Sequence, residues 1–178
     1  MSVVGVVLAA GASTRLGRRK QLELIGGEPL LARTVRMALA SQCTRVGVVL
    51  GAHSGEVAPA VSGFDVEVMD NPAWAEGMAS SIRTGVAWAE AQDCEGVLLM
   101  VCDQPHLETG HLDELIARFI ATGAIVGSEY AGTIGVPAVF PRSALSALSA
   151  LTGDQGARKL LSGQVAIPWE AGAIDLDV

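Results

Sequence analysis

Two segments of this 178-residue chain place charged side chains directly after apolar runs. The first covers residues 11–20 and reads Gly-Ala-Ser-Thr-Arg-Leu-Gly-Arg-Arg-Lys. The bare amides of a Gly-rich turn approach a phosphate closely, and Arg15 and Lys20 supply charge that a polyphosphate would neutralise. Its two glycines, Gly11 and Gly17, fit neither the Walker A loop nor the dinucleotide fingerprint. The segment therefore predicts a phosphate site of another kind, or an ordinary solvated loop.

The second segment covers residues 97–105 and places Asp103 at the end of an apolar run, two residues before a proline. A carboxylate at the tip of a buried strand is a usual ligand for a hard cation such as Mg²⁺, which takes oxygen donors together with substrate phosphates. The alternative is a cap for a helix that begins near Glu108, or a simple turn, but the distance along the chain is long for a cap. The sequence therefore favours Asp103 as a metal ligand.

The C-terminal residues offer a partner for this carboxylate. Asp175 and Asp177 alternate with apolar residues over 174–178, so an extended strand would put both carboxylates on one face. A solvated strand face is the more common explanation of such a pattern.

The segment 71–83 joins these parts and contains Ser80 and Ser81 near the predicted start of a helix. Either serine could cap that helix, and its free amides could instead face an anion or the polar edge of a base. Residues 153–158 are similarly predicted to form a helix cap followed by exposed charges.

The remaining reactive residue types show no pattern that indicates a metal site. The three histidines, His53, His106 and His111, are predicted to be surface or loop residues. The three cysteines, Cys43, Cys94 and Cys102, are predicted to be small buried hydrophobes.

Short apolar runs that alternate with helical patterns must position these groups. The predicted strands cover 3–10, 46–50, 66–69, 97–102, 138–140, 165–167 and 174–178, and the predicted helices cover 31–39, 77–90, 112–119, 145–151 and 157–161. This alternation predicts βαβ units and a mainly parallel sheet covered on both faces, that is, an α/β three-layer sandwich in a single domain over residues 1–178.

The first and fourth predicted strands are apolar on both faces, which places them at the centre of the sheet. Ligands of open α/β sheets bind beyond the carboxyl ends of such strands. The loops that start at Gly11 and Asp103 are therefore expected to meet over one crevice.

Composition excludes several classes of protein. Half of the residues are hydrophobic, yet no apolar run approaches the roughly 18 residues that cross a membrane. The start lacks the basic region of a signal peptide, and three cysteines without CxxC spacing favour reduced thiols in the cytoplasm. A net charge of −7 argues against nucleic acid and anionic membranes as partners, although four of the 12 basic residues fall within positions 15–20.

Seven motifs resemble, in order and over almost the entire chain, the molybdenum-cofactor nucleotidyltransferase family. They are LAAGASTRLGRRK, GGEPLL, NPAWAEGMASSIRTG, VCDQP, GTIGVP, GDQGAR and DLD. The resemblance implies a GT-A-like, Rossmann-related fold and Mg²⁺-dependent transfer of a nucleoside monophosphate from an NTP to a phosphate acceptor, with release of pyrophosphate. It also implies a pterin-type acceptor and contact with a molybdoenzyme or maturation factor.

Within the family, LAAG with RLGRRK is similar to the cytidylyltransferase branch, since guanylyltransferases typically carry LAGG and a GG-x-DK ending. The resemblance thus implies CTP as the donor, with Arg15, Lys20 and Asp103 in catalysis. Mg²⁺ would be held by Asp103, with Asp177 at the second metal position. The residues implied in nucleotide binding are Leu8, Ala9, Ala10, Gly11, Arg15, Lys20, Asn71, Gly77 and Ser81.

Two departures from the family pattern keep alternatives open. Many cofactor cytidylyltransferases carry His between the Gly and the Pro of the segment that here reads Gly135-Val136-Pro137, which leaves the acceptor open. The sequence also ends one residue after Asp177, where relatives continue, and this weakens the second metal position. The rivals are a guanylyltransferase of the same family, a GT-A-like glycosyltransferase and a non-catalytic nucleotide-binding module; a glycosyltransferase would commonly need a DxD motif in place of Asp-Gln-Pro.

Overall fold

The apolar runs of the sequence form the centre of a seven-stranded sheet in the computed structural model, which describes residues 1–14 and 16–175. The strands within these ranges are β1 (Val3–Leu8), β2 (Leu24–Ile25), β3 (Glu28–Pro29), β4 (Arg45–Leu50), β5 (Glu67–Asp70), β6 (Gly96–Val101), β7 (Val126–Tyr130), β8 (Thr133–Pro141) and β9 (Val165–Pro168). The helices are α1 (Leu30–Ala40), α2 (Ser54–Val57), α3 (Met78–Glu90), α4 (Thr109–Thr122), α5 (Leu145–Ser149) and α6 (Arg158–Leu161).

The main sheet has the strand order β5-β4-β1-β6-β8-β7-β9, while β2 and β3 form a separate antiparallel hairpin. Within the main sheet, β8 runs antiparallel to both of its neighbours, and the other paired strands are parallel. This confirms the predicted α/β fold with a mainly parallel sheet.

The chain leaves β1 on one side to form β4 and β5 and then crosses to β6 on the other side. The direction of winding therefore switches between β1 and β6, the position where open α/β sheets bind ligands. Leu8 pairs with Val101, so the two strands end level with each other. The loops that follow them start side by side, as the sequence predicted.

Side chains of β1 alternate between two hydrophobic cores. Val3 and Val7 belong to the core under α1 and α4, whereas Val4, Val6 and Leu8 belong to the core under α3, α5 and α6. A strand that is buried on both faces lies in the middle of the sheet, as its continuous apolar run indicated.

Helix α3 packs closely on β1 because Gly85 has no side chain. A Cβ at Gly85 would lie 2.5 Å from the Cγ1 atom of Val6, which is too close for any real contact. This close approach fixes the start of α3 beside the carboxyl end of β1.

The predicted C-terminal strand is not seen in the described residues. A short 3-10 turn spans Glu170–Ala173, and Ile174 and Asp175 follow it without joining the sheet. Residues 176–178, which include Asp177, lie outside the described residues. No helix within the described ranges is long and apolar enough to cross a membrane.

Candidate functional site

A cleft of about 490 Å³ lies at the carboxyl ends of β1 and β6. It collects residues from the loop after β1, from the start of α3 and from the segment after β6. Most of the described residues that the sequence predicted for the nucleotide line it, namely Leu8, Ala9, Ala10, Gly11, Lys20, Gly77 and Ser81, and so does the predicted metal ligand Asp103.

The clearest contact in the cleft joins the two loops that were expected to meet. The Nζ atom of Lys20 donates to Oδ2 of Asp103 over 3.2 Å, across 83 positions of sequence. The two side chains are only 18% and 16% exposed, so water and salt screen the attraction between their charges less than they screen a pair on the surface. Asp103 does not cap α4, which begins at Thr109 after Glu108.

The loop after β1 is folded around the buried side chain of Gln21. Its Nε2 donates to the carbonyl oxygens of Ala9 (3.0 Å) and Gly11 (2.9 Å), and its Oε1 accepts from the Ser13 hydroxyl (3.3 Å). The Ser13 hydroxyl oxygen also accepts from the backbone amide of Lys20 (3.1 Å). These bonds fix the backbone that leads to Lys20. Gln21 was not predicted as part of the site, because one amide residue beside a basic run forms no recognisable pattern.

The basic cluster divides into residues that face the cleft and residues that do not. Neither Arg18 nor Arg19 lines the cleft. Arg18 pairs with Glu23 instead, and Arg19 lies 3.4 Å from Glu56. Arg15 lies outside the described residues, and its role remains a prediction. Lys20 is the member of the cluster that the structure places in the cleft.

A buried amide holds the serines at the start of α3. The Nδ2 atom of Asn71 donates to the hydroxyl oxygens of Ser80 (2.9 Å) and Ser81 (3.0 Å). Ser80 in turn donates to the carbonyl oxygen of Gly77 (2.8 Å), and α3 has no side-chain cap. Neither serine therefore caps this helix, although the sequence allowed either to do so. Asn71 does not itself line the cleft but orients Ser81, which does.

Residues 153–154 pack against the start of α3, which the sequence analysis did not foresee. Gly77 has φ of 117°, a region that favours glycine, and a Cβ there would overlap the Asp154 carboxylate and the Gly153 carbonyl oxygen. That carbonyl oxygen accepts from the amide of Ala79 (3.2 Å). The predicted helix cap is wrong, because α6 begins at Arg158 without a side-chain cap, and Asp154 instead lines the cleft.

His111 contradicts the prediction that the histidines are surface or loop residues. It is buried on α4, its Nε2 lies 2.7 Å from the Ser128 hydroxyl, and its ring stacks on Trp169 at 4.7 Å. The Ser128 hydroxyl donates its hydrogen to the carbonyl oxygen of Pro137 (2.6 Å). The Nε2 atom of His111 must therefore carry the hydrogen of the bond between His111 and Ser128. Burial lowers the pKa of His111 to about 4. Its position four residues before Leu115, on the apolar face of the helix, was the available signal.

The cysteines behave largely as predicted. Cys94 and Cys102 are buried, and Cys43 is partly buried. Burial raises the pKa of the Cys43 thiol to about 11, which keeps it protonated at neutral pH.

The donor set of the cleft is compatible with a magnesium ion that is completed by substrate. Within residues 1–14 and 16–175, no group of three or more His, Cys, Asp or Glu residues could hold a metal ion. Mg²⁺ commonly binds through one or two carboxylates, with phosphate oxygens and water as its other ligands. The Asp103 carboxylate, at the edge of the cleft, fits that role.

A Gly-containing loop, a lysine and a carboxylate at the switch point of a mainly parallel sheet define a nucleotide-binding α/β protein. Residues 5–167 match the MobA-like NTP transferase domain, so the chain belongs to this family of nucleotidyltransferases. This confirms the family that the seven motifs indicated.

Three relatives of known name are similar over nearly their whole length. The purine catabolism protein PucB of Bacillus subtilis (strain 168) is 30% identical over 97% of this chain and 85% of its own. The nicotine blue oxidoreductase of Paenarthrobacter nicotinovorans is 31% identical over 97% and 86%. The molybdenum cofactor guanylyltransferase of Rhodobacter capsulatus is 30% identical over 96% and 86%.

Solved structures agree with the fold. An Rv0371c homologue from Mycobacterium sp. strain JC1 superposes with a TM-score of 0.83 at 32% identity, covering 99% of this chain and 90% of that one. The Rv0371c protein of Mycobacterium tuberculosis H37Rv, in complex with manganese, superposes with a TM-score of 0.77 at 30% identity, over 100% and 93%.

Proposed function

We propose that this protein transfers CMP from CTP to a phosphate-bearing acceptor of the molybdopterin type, with Mg²⁺, and releases pyrophosphate. The observation that supports this most directly is the 3.2 Å contact between Lys20 and Asp103 inside the cleft. It brings a cation suited to a triphosphate and a carboxylate suited to a divalent metal to one point.

The reaction is an in-line displacement at phosphorus. An oxygen of the acceptor phosphate forms a bond to the α-phosphorus of CTP, and the bond from that phosphorus to the bridging oxygen of the β-phosphate breaks. Pyrophosphate leaves with the electron pair of that bond. The attacking oxygen is already anionic at neutral pH, so the residues need to align and neutralise two anions rather than supply a nucleophile or a base.

Each cleft residue has a proposed part in this task. Lys20 binds the phosphates that become pyrophosphate. Arg15, which lies outside the described residues, is proposed to assist Lys20. Asp103 holds Mg²⁺, with Asp177 as the proposed second ligand. When bound, Mg²⁺ neutralises negative charge on the triphosphate.

The proposed base site is formed by other residues that line the same cleft. Leu8, Ala9, Ala10 and Gly11 would line the cytosine and ribose together with Gly77. The Ser81 hydroxyl, whose oxygen accepts from Asn71, would contact the cytosine ring. A hydroxyl held by a buried amide has a restricted orientation, and this favours a base with a matching polar edge.

GTP is the second candidate donor, because the relative from Rhodobacter capsulatus is named a molybdenum cofactor guanylyltransferase. Its similarity to this chain covers 96% of the chain, so it includes the proposed base site. The two donors differ in the size and polar edge of the base, and a direct competition separates them.

The deciding experiment measures pyrophosphate release with molybdopterin as acceptor and CTP, GTP, ATP or UTP as donor, with and without Mg²⁺. We expect kcat/KM for CTP to exceed that for GTP by at least about tenfold, which corresponds to about 1.4 kcal/mol. A higher value for GTP would overturn the choice of donor. CTP binding in a thermal-shift assay without turnover would instead indicate a non-catalytic nucleotide-binding module.

A further inference from the structure

A second cavity of about 330 Å³ lies beside the nucleotide cleft. The two share Val101 and Asp103, so the proposed metal ligand stands on the boundary between them. Gln104, Tyr130 and Arg158 also line the second cavity. A molecule in this cavity would therefore lie next to Asp103.

A smaller, largely apolar cavity of about 120 Å³ shares lining residues with both, among them Leu8 of the nucleotide cleft. Its lining includes Ile82 and Leu99, which are nonpolar core residues. It shares Tyr130, Val136 and Arg158 with the second cavity. The space next to Asp103 thus combines an apolar recess with a rim that carries the guanidinium group of Arg158 and the carboxylates of Asp103 and Asp175.

The wall that carries this guanidinium is well ordered by hydrogen bonds. The Tyr130 hydroxyl donates to the carbonyl oxygen of Val136 (2.9 Å). The Nε2 atom of Gln104 donates to the same carbonyl (3.0 Å) and to the Tyr130 oxygen (3.3 Å). The Tyr130 ring also meets Trp169 edge to face at 6.1 Å.

Arg158 is exposed and forms no salt bridge with any carboxylate in the part of the chain that the structure describes. It lies close to Tyr130: burial raises the pKa of that hydroxyl, and the charge of Arg158 opposes the rise. An arginine on an ordered wall of a cavity presents a planar group of donors that binds two phosphate oxygens at once.

We infer that the second cavity and the apolar recess together bind the acceptor, a phosphate monoester attached to an apolar or planar body, with Arg158 as the ligand of its phosphate. The inference rests on the proposed function and extends it to residues outside the nucleotide cleft. Asp103 borders both cavities, so an acceptor phosphate held by Arg158 would meet the α-phosphate of the nucleotide at that boundary. Gln104 is a positioning residue, because it acts through Tyr130 and Val136.

The test compares Arg158→Gln with Lys159→Gln. Lys159 is the next residue on the same helix, is exposed, and lines none of the three cavities, so its variant makes the same charge change beside the site. We expect Arg158→Gln to raise KM for molybdopterin at least tenfold while KM for CTP changes less than twofold. Lys159→Gln should leave both constants within twofold of wild type, and Arg158→Lys should fall between.

Calorimetric titration of molybdopterin without nucleotide separates failure of this inference from failure of the proposed function. Wild-type binding that weakens tenfold in Arg158→Gln supports the acceptor site, even if no CMP is transferred and the proposed function falls. Transfer with an unchanged KM for molybdopterin in Arg158→Gln overturns the acceptor site and leaves the proposed function standing. If wild-type protein neither binds molybdopterin nor transfers CMP to it, with CTP and Mg²⁺ present, both are overturned.

Discussion

The two sides of the sheet build their walls of the site in different ways. On the β1 side, Lys20 and Ser81 lie in segments that carry recognisable motifs. Gln21 and Asn71 hold those segments through hydrogen bonds to residues nearby in the sequence. On the β8 side, Tyr130 is held by residues from three separate elements, among them Gln104 and Trp169. Residues of both walls lie in recognisable motifs, among them Gln104 and Arg158 on the β8 side. The difference is that residues nearby in sequence hold the proposed nucleotide wall, whereas residues far apart in sequence hold Tyr130 in the proposed acceptor wall.

The largest effect is expected where the two walls meet. Asp103→Asn keeps the size of the side chain but removes its charge, so we expect turnover to fall by at least about 10³-fold. CTP affinity should change by less than tenfold, because the base and ribose contacts remain. Pyrophosphate release and calorimetric CTP binding measure the two quantities.

Asp65→Asn is the matched control for Asp103→Asn, since Asp65 is exposed and does not line the cleft. It should retain full activity. Turnover of Asp103→Asn within tenfold of wild type would contradict the proposed metal ligand.

Gly77→Ala tests whether the β1 side depends on backbone geometry. The new methyl group would overlap Asp154 and Gly153 at a φ of 117°, so we expect a loss of about 3 kcal/mol in the free energy of unfolding, together with weaker CTP binding. Urea denaturation gives the first quantity. Gly63→Ala, at a glycine with open space around it, should change stability by less than about 0.5 kcal/mol. Equal stability of the two variants would contradict the packing of residues 153–154 on α3.

His111 tests the β8 side through pH. Its pKa is about 4 in the folded protein and ordinarily 6.5, so the unfolded chain binds more protons between these values. The contribution of a neutral His111 is present above pH 6.5 and is lost as pH falls towards 4. We expect the loss of this contribution to lower the free energy of unfolding by about 2 kcal/mol between pH 7 and pH 5.

Denaturation of His111→Gln over the same pH range supplies the comparison. That variant keeps a donor for Ser128 but has no side chain at position 111 that titrates between pH 7 and pH 5. Its free energy of unfolding should therefore fall by about 2 kcal/mol less than that of the wild type over this range. The same fall in both proteins would show that His111 is not the titrating group.

Ser81→Ala carries the smallest expected effect. Removing one hydrogen bond to the base should cost about 1 kcal/mol, or roughly a fivefold increase in the dissociation constant for CTP. Ser62→Ala, on an exposed turn away from the cleft, is the control. A change in CTP affinity no larger than that of the control would remove Ser81 from the proposed base site.

The sequence predicted the central strands and the meeting of the Gly11 and Asp103 loops, because continuous apolar runs and strand ends are local features. It failed where the partner of a side chain lies in another element or loop. Ser80 donates to Gly77 instead of capping α3, because the buried amide of Asn71 occupies its oxygen. His111 lies in the core because Ser128 and Trp169, far along the chain, complete its surroundings.

The three tryptophans of the chain also allow binding and protonation to be followed by intrinsic fluorescence. Trp74 lines the cleft and is 38% exposed, so a bound nucleotide would change the polarity around its indole and shift its emission. Trp169 stacks on His111, and a protonated imidazole quenches a neighbouring indole. Trp88 donates to Glu67 away from both places and serves as an internal reference. Variants that keep Trp88 together with either Trp74 or Trp169 would therefore report ligand entry on one side of the sheet and proton uptake on the other as separate fluorescence signals.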